Sequence, residues 1–287
     1  INKITYYIFK LFSSFFSILP RNIAIFSGKR LGAFLYYIIP LRKKVAKFNL
    51  KIAFPKLSSF EINTLILKTY KHFGILLVEF FRKNKINLEN QIKIDNETQR
   101  LLSLKKGIIL MTAHLGNWEI IIPILNKYRK VTVVVKVQRN SGGDKFVKEI
   151  RNLNNISLVP MGSSKKNMIN DLKKGNILGL ASDQNAGLRG TRIKFFGKEL
   201  TIPKGAAYFY YKTKCPIVVG FCTLNKNNTY NFNLREIKIN NSGIDTNNLF
   251  IKINTIFSSI LEEEIKRNPE QYFWFHRKWD RNIYKNK

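Results

Sequence analysis

Apolar residues change their spacing after a polar stretch at residues 84–99, which divides the chain into a helical beginning and an alternating remainder. Residues 4–19 are apolar and aromatic, interrupted by Lys10, and residues 31–41 form a second apolar stretch. Residues 41–55 read as a basic amphipathic helix that stops before Pro55, because proline disfavours helix at the residue it follows. Ser58 and Ser59 precede Glu61, and a helix is predicted over residues 60–82. Beyond the polar stretch, short apolar or β-branched runs predict strands at residues 107–113, 131–136, 156–160, 176–182 and 215–223. Residues 229–238 alternate as an edge strand would. Helices are predicted between and after them, at residues 117–125, 144–153, 165–174, 203–212 and 251–268. Strands alternating with short helices imply an α/β fold, with a mainly parallel or mixed central sheet flanked by helices. No repeat or linker divides the chain, so the expected organisation is an N-terminal helical segment over residues 1–40 and one domain over residues 41–287.

The first sixty residues contain no Asp or Glu. The apolar run at residues 4–19 is somewhat shorter than the ~20 residues that cross a bilayer comfortably. A helix lying in the interface, held by Lys10, Arg21, Lys29 and Arg30, fits equally well, and a buried helix is the third reading. No small-residue cleavage signature follows the run, so a removed signal peptide is not expected. The formal net charge of +32 attracts phosphates, anionic headgroups, acidic proteins and nucleic acid alike, and does not choose among them. A hydrophobic content of 45% excludes a disordered chain, and 22 Phe with 12 Tyr suit a surface that partly faces lipid. Cys215 and Cys222 lack metal-ligand spacing and read as inert buried thiols.

The sharpest chemical constellation is Met-Thr-Ala-His-Leu-Gly-Asn-Trp-Glu at residues 111–119. Five residues on an ideal helix differ by ~140°, so His114 and Glu119 would not share a helical face. The pair works better with His114 on a strand-to-helix turn, Gly116 allowing the tight path, and Glu119 in the first turns of the helix. The Glu119 carboxylate is then expected to turn back to one imidazole nitrogen, leaving the other to accept a proton from a substrate hydroxyl. No Gly-x-Ser-x-Gly elbow is present, which favours direct transfer over a covalent intermediate. His-x4-Glu lacks the second ligand of a zinc His-Glu-x-x-His helix, so no metal is expected. His72 reads as structural, and His276 as packed or interfacial within the aromatic run at residues 272–279. Trp274 and Trp279, with Arg277 and Lys278 between them, suit a membrane headgroup layer.

His-Leu-Gly-Asn-Trp-Glu, together with its flanks, resembles the His-x4-Asp/Glu motif of the bacterial lipid A biosynthesis acyltransferases. The resemblance extends through residues 42–55, through Ser-Asp-Gln-Asn-Ala-Gly at residues 182–187, through Phe-Phe-Gly followed by Thr201 and Gly205, and through residues 269–279. It implies a fold like that of the glycerol-phosphate acyltransferases. It implies acyl carrier protein as acyl donor, with no cofactor, and a Kdo-bearing, phosphorylated glycolipid as acceptor. It further implies attachment to the cytoplasmic face of the bacterial inner membrane, and catalysis by His114 with Glu119 as its partner. Asn117, Arg139, Asp183, Gln184 and Arg192 fall at positions that the resemblance associates with substrate. Arg139 is expected to grip a sugar phosphate, and Asp183 to support the loop leading to Arg189 and Arg192. The chain departs from the family pattern at Gln138-Arg139-Asn140 and at residues 151–155, where the final glycine of Arg-x3-Gly is absent. A related family that acylates phosphatidylinositol mannosides shares the motif, so the acceptor stays open. Nucleic-acid binding would explain the charge but not the His114 turn, and no RNP-type strand, KH loop or zinc spacing accompanies it. A non-enzymatic lipid-binding scaffold would need no base at His114.

Overall fold

Helix boundaries fall where local chemistry requires them. A computed structural model describes residues 2–82, 88–240 and 243–284, so residues 84–87 of the polar stretch lie outside the described residues. Helices α1 (Asn2–Ile18) and α2 (Arg21–Tyr37) are separated by Pro20, which caps α2 with the extended backbone its ring favours. Helix α3 (Lys43–Ala53) ends just ahead of Pro55. Helix α4 (Ser59–Phe81) starts with a capping box: the Glu61 amide donates to Ser58 Oγ at 3.2 Å, and the Ser58 amide donates to Glu61 Oε2 at 2.8 Å. Helix α2 packs closely along α4. Gly28 and Gly32 meet Gly74 at the crossing, where an added methyl would overlap the facing backbone.

The remainder builds the predicted α/β sheet. After α5 (Leu88–Gln91) come β1 (Ile92–Ile94), α6 (Asn96–Leu102), β2 (Ile108–Thr112), α7 (Trp118–Asn126), β3 (Val131–Val135), α8 (Ser141–Arg151), β4 (Ile156–Pro160), α9 (Lys165–Lys173) and β5 (Ile177–Ala181). Strands β6 (Thr191–Phe195) and β7 (Lys198–Ile202) follow, then α10 (Gly205–Thr213), β8 (Ile217–Leu224), β9 (Tyr230–Glu236) and α11 (Thr246–Arg267). The main sheet runs in the order β1-β9-β8-β2-β5-β3-β4, and only the β8–β9 pair is antiparallel. Strand alternation divides its core between two faces. Ile109, Met111, Leu178 and Val219 pack with residues of α3, α4, α10 and α11, whereas Ile108, Leu110, Ile177 and Val218 pack with residues of α6 and α7.

Three expectations change. The alternating segment at residues 229–238 is not an edge strand, because the three-residue β1 pairs with it in parallel. Its alternation reports one-sided burial, which an interior strand also shows when one face is thinly covered. A β6–β7 hairpin appears where no strands were predicted. Its two connecting residues, Phe196 and Gly197, have φ of 47° and 72°, the mirror-image turn that matches strand twist. Finally, Trp274 and Trp279 are fully buried in the core rather than placed for a headgroup layer. The Trp274 indole donates to the Pro269 carbonyl at 2.7 Å, and Asn49 Nδ2 donates to the carbonyls of Trp274 and His276 at 2.7 Å each. The C-terminal segment is thereby strapped across the domain. Among the described residues no helix is long and apolar enough to cross a membrane.

Candidate active site

The turn between β2 and α7 carries His114, and its backbone is tied down on two sides. The amides of Gly116 and Asn117 donate to the carbonyls of Gln271 and Cys222, at 3.0 and 2.7 Å. The Phe273 amide donates to the His114 carbonyl at 2.9 Å. Gly116 has a φ of 61° and lies against the Cys222 backbone, so both its conformation and its space exclude a side chain. His72 is buried beneath the turn and hydrogen-bonds the Gly116 backbone, with burial lowering its pKa to about 4. It is therefore a neutral support at ordinary pH.

The carboxylate that meets His114 is Asp183. Strands β2 and β5 are parallel neighbours with Thr112 opposite Ala181, and the Ser182 amide donates to the Thr112 carbonyl at 2.8 Å. Continuing that register brings His114 beside Asp183, and His114 Nδ1 lies 2.8 Å from Asp183 Oδ1. Asp183 Oδ2 accepts from the Tyr272 hydroxyl and from Lys278 Nζ, each at 3.2 Å. Lys278 Nζ also donates to the Asp183 carbonyl oxygen. Burial would by itself raise the Asp183 pKa, but Lys278 and His114 outweigh it and hold the carboxyl well below the usual range. Lys278 is equally buried; desolvation lowers its pKa, and Asp183 offsets part of the effect. An ionised Asp183 accepts the Nδ1 proton of His114 and leaves Nε2 as the basic nitrogen.

Glu119 does not take the role expected for it. Its carboxylate is gripped by Arg151 in a two-point contact, Nη2 to Oε1 at 2.5 Å and Nε to Oε2 at 3.0 Å. It also accepts from the Trp118 indole at 3.1 Å. The Trp118 ring stands edge-on to His114, with centroids 4.9 Å apart. Glu119 thus positions a wall of the site and the end of α8, one side chain removed from the imidazole.

The other expected residues divide. Gln184 reaches the site, its Nε2 lying 3.3 Å from the Nε2 atoms of both His114 and His276. His276 thereby joins the site from the strap, a placement its aromatic surroundings in sequence concealed. Asn117 is buried, and its amide donates to the Tyr230 hydroxyl at 3.1 Å and to Glu79 Oε2 at 3.4 Å, so the side chain serves the scaffold instead of a substrate. Arg139 is exposed in the turn before α8. Arg192 is exposed on β6, 3.9 Å from Glu199. No hydrogen bond or ion pair joins either arginine to His114 among the described residues.

A family model described as bacterial lipid A biosynthesis acyltransferase matches residues 2–281. The chain belongs to that family. This lipid A acyltransferase family member is 22% identical, over 268 residues, to the lipid A biosynthesis palmitoleoyltransferase of Escherichia coli (strain K12). The match covers 91% of the chain and 86% of that protein. A lipid A biosynthesis acyltransferase of Shigella flexneri matches to the same extent. Among solved structures, the 1-acyl-sn-glycerophosphate acyltransferase PlsC of Thermotoga maritima is similar with a TM-score of 0.37 and 12% identity, over 93% of this chain and 99% of that one. The protein is therefore an acyltransferase, and the non-enzymatic scaffold reading is set aside.

Proposed function

We propose that this family member transfers a fatty acyl chain from acyl carrier protein to a hydroxyl of a Kdo-bearing, phosphorylated lipid A precursor. The reaction takes place at the cytoplasmic face of the bacterial inner membrane. The observation that carries the chemistry is the 2.8 Å contact between His114 Nδ1 and Asp183, which leaves Nε2 for an acceptor hydroxyl. His114 removes that proton as the oxygen attacks the thioester carbonyl; the C–S bond then breaks and the proton passes to the leaving sulfur. Asp183 fixes the tautomer and stabilises the imidazolium. Glu119, gripped by Arg151, holds the Trp118 indole beside the ring. The acceptor and donor classes rest on family membership, and the strongly basic chain suits both an anionic lipid and an acidic carrier protein.

Purified protein is given acyl carrier protein loaded with several chain lengths, beside the Kdo-bearing precursor, a phosphatidylinositol mannoside and a lysophospholipid. Lipid mass spectrometry is expected to show one added acyl group on the precursor, lost in His114→Ala. Transfer to another acceptor alone would overturn the acceptor assignment while keeping the chemistry. Undiminished transfer by His114→Ala would overturn the base.

A further inference from the structure

Gln184 covers the one nitrogen of His114 that a substrate hydroxyl needs. Its side-chain nitrogen is 3.3 Å from His114 Nε2 and 3.3 Å from His276 Nε2. The neighbours dictate how the amide points. Ionised Asp183 requires the His114 proton at Nδ1, so Nε2 of the neutral ring presents a lone pair. An amide oxygen placed there would face that lone pair, whereas the NH2 group donates to it. The second hydrogen of the same NH2 reaches His276 Nε2, which must also be an acceptor. Burial lowers the His276 pKa and so favours the neutral ring. His276 is itself anchored: its carbonyl accepts from Asn49, and its ring packs on Phe273 with centroids 5.1 Å apart. The amide is thus braced on one histidine while it occupies the other.

We propose that Gln184, braced by His276, guards the base against water and so sets the preference for a lipid hydroxyl over hydrolysis of the acyl thioester. The inference rests on the transfer reaction proposed above. Either nucleophile must take Nε2 from the amide before it gives up its proton. Water brings no other contact to offset that lost hydrogen bond, whereas a lipid hydroxyl arrives with the binding of the whole acceptor behind it. After the amide yields, the lipid O–H donates to Nε2, the ester O–C bond forms, the C–S bond breaks, and the sulfur receives the proton. With water in its place the same sequence gives a free fatty acid and the same thiol. Gln184 acts through the base and is a positioning residue. Loss of one such hydrogen bond corresponds to a change of up to about tenfold in partition.

The test measures two rates on full-length protein with acyl carrier protein bearing a fatty acyl thioester: hydrolysis without acceptor, and transfer at saturating Kdo-bearing precursor, whose binding has already displaced the amide. Gln184→Ala is expected to raise the ratio of hydrolysis to transfer about tenfold, and His276→Ala to raise it by a smaller factor of about three by loosening the amide. A merely structural loss lowers both rates together and leaves the ratio unchanged, which would overturn the inference. Failure of the wild type to transfer would instead overturn the proposed reaction. Should Gln184→Ala not fold, Gln184→Asn, whose shorter amide does not span both histidines, is read in the same way.

Discussion

Asp183 has both carboxylate oxygens committed: one to His114, the other to Tyr272 and Lys278. A group so enclosed has a narrow function, because any change leaves a buried partner unpaired. Asp183→Asn removes the fixed negative charge that holds the Nδ1 proton, and acyl transfer is expected to fall about 10²- to 10⁴-fold. If the two residues act as one unit, the double variant His114→Ala/Asp183→Asn transfers no more slowly than His114→Ala alone. Steady-state transfer rates check this. Additive losses would show that Asp183 acts elsewhere. The sequence made His114 legible because it follows an apolar run and precedes a glycine turn. It misdirected the partner because Glu119 shares the same short window, while Asp183 lies 69 residues further along the chain. A signal was nevertheless present. Residues 107–113 and 176–182 are both apolar runs read as strands, and each is followed at once by a chemically active side chain, His114 and Asp183. Two parallel neighbours present their C-terminal ends together, but which strands are neighbours depends on the sheet order, and periodicity carries no information on it.

At the scale of elements, the turn carrying His114 is wired to the N-terminal helices through a buried polar cluster. Glu79 on α4 is almost completely buried and pairs with Arg21 at the start of α2, Nη2 to Oε1 at 2.6 Å. The Tyr230 hydroxyl of β9 donates to Glu79, and Asn117 of the turn donates to both. Arg82, one residue past α4, donates to the carbonyls of Phe16 and Leu19. Removing one member of a buried ion pair costs about 3–5 kcal/mol, whereas replacing both by apolar groups is close to neutral. Arg21→Ala is therefore expected to lower stability by about that amount, and Arg21→Met/Glu79→Leu to recover most of it. Chemical denaturation followed by circular dichroism checks the pair. Equal losses in the single and double variants would mean that the cluster is held by Tyr230 and Asn117 instead. This cluster was invisible in sequence because its members come from α2, α4, the site turn and β9. The long helices α4 and α11 were legible from apolar spacing, whereas α2 was only partly marked by the apolar stretch at residues 31–41. The three-residue β1 is too short to show a period, and the β6–β7 turn uses Phe-Gly where Asn-Gly or Asp-Gly would have announced it.

For the whole molecule, α1 presents the apolar side that the proposed membrane attachment would use. Phe9 and Phe16 pack inward on Phe81 and, for Phe9, on Phe146. Ile4, Tyr7, Leu11, Phe15 and Ile18 recur at helical spacing on the opposite side and are exposed, as are Phe26 and Phe34 on α2. Such a stripe has no counterpart on an ordinary water-facing helix and fits a helix lying in the headgroup layer. Lys10 does not extend freely from it, because its ammonium pairs with Glu149 at 3.0 Å. Lys29 and Arg30 on α2 remain exposed, and with the rest of a chain of formal charge +32 they supply the long-range attraction. The two contributions separate experimentally. Leu11→Gln/Phe15→Gln changes only exposed side chains and no charge, and is expected to lower binding to anionic vesicles about tenfold or more, since each side chain loses its apolar burial in lipid. Raising the salt weakens wild type and variant alike, because it screens the charge and leaves apolar insertion intact. Cosedimentation with vesicles of phosphatidylglycerol and phosphatidylethanolamine measures both. Undiminished binding by the double variant, with full salt dependence, would assign attachment to charge alone. The exposed stripe would then have to face something other than lipid.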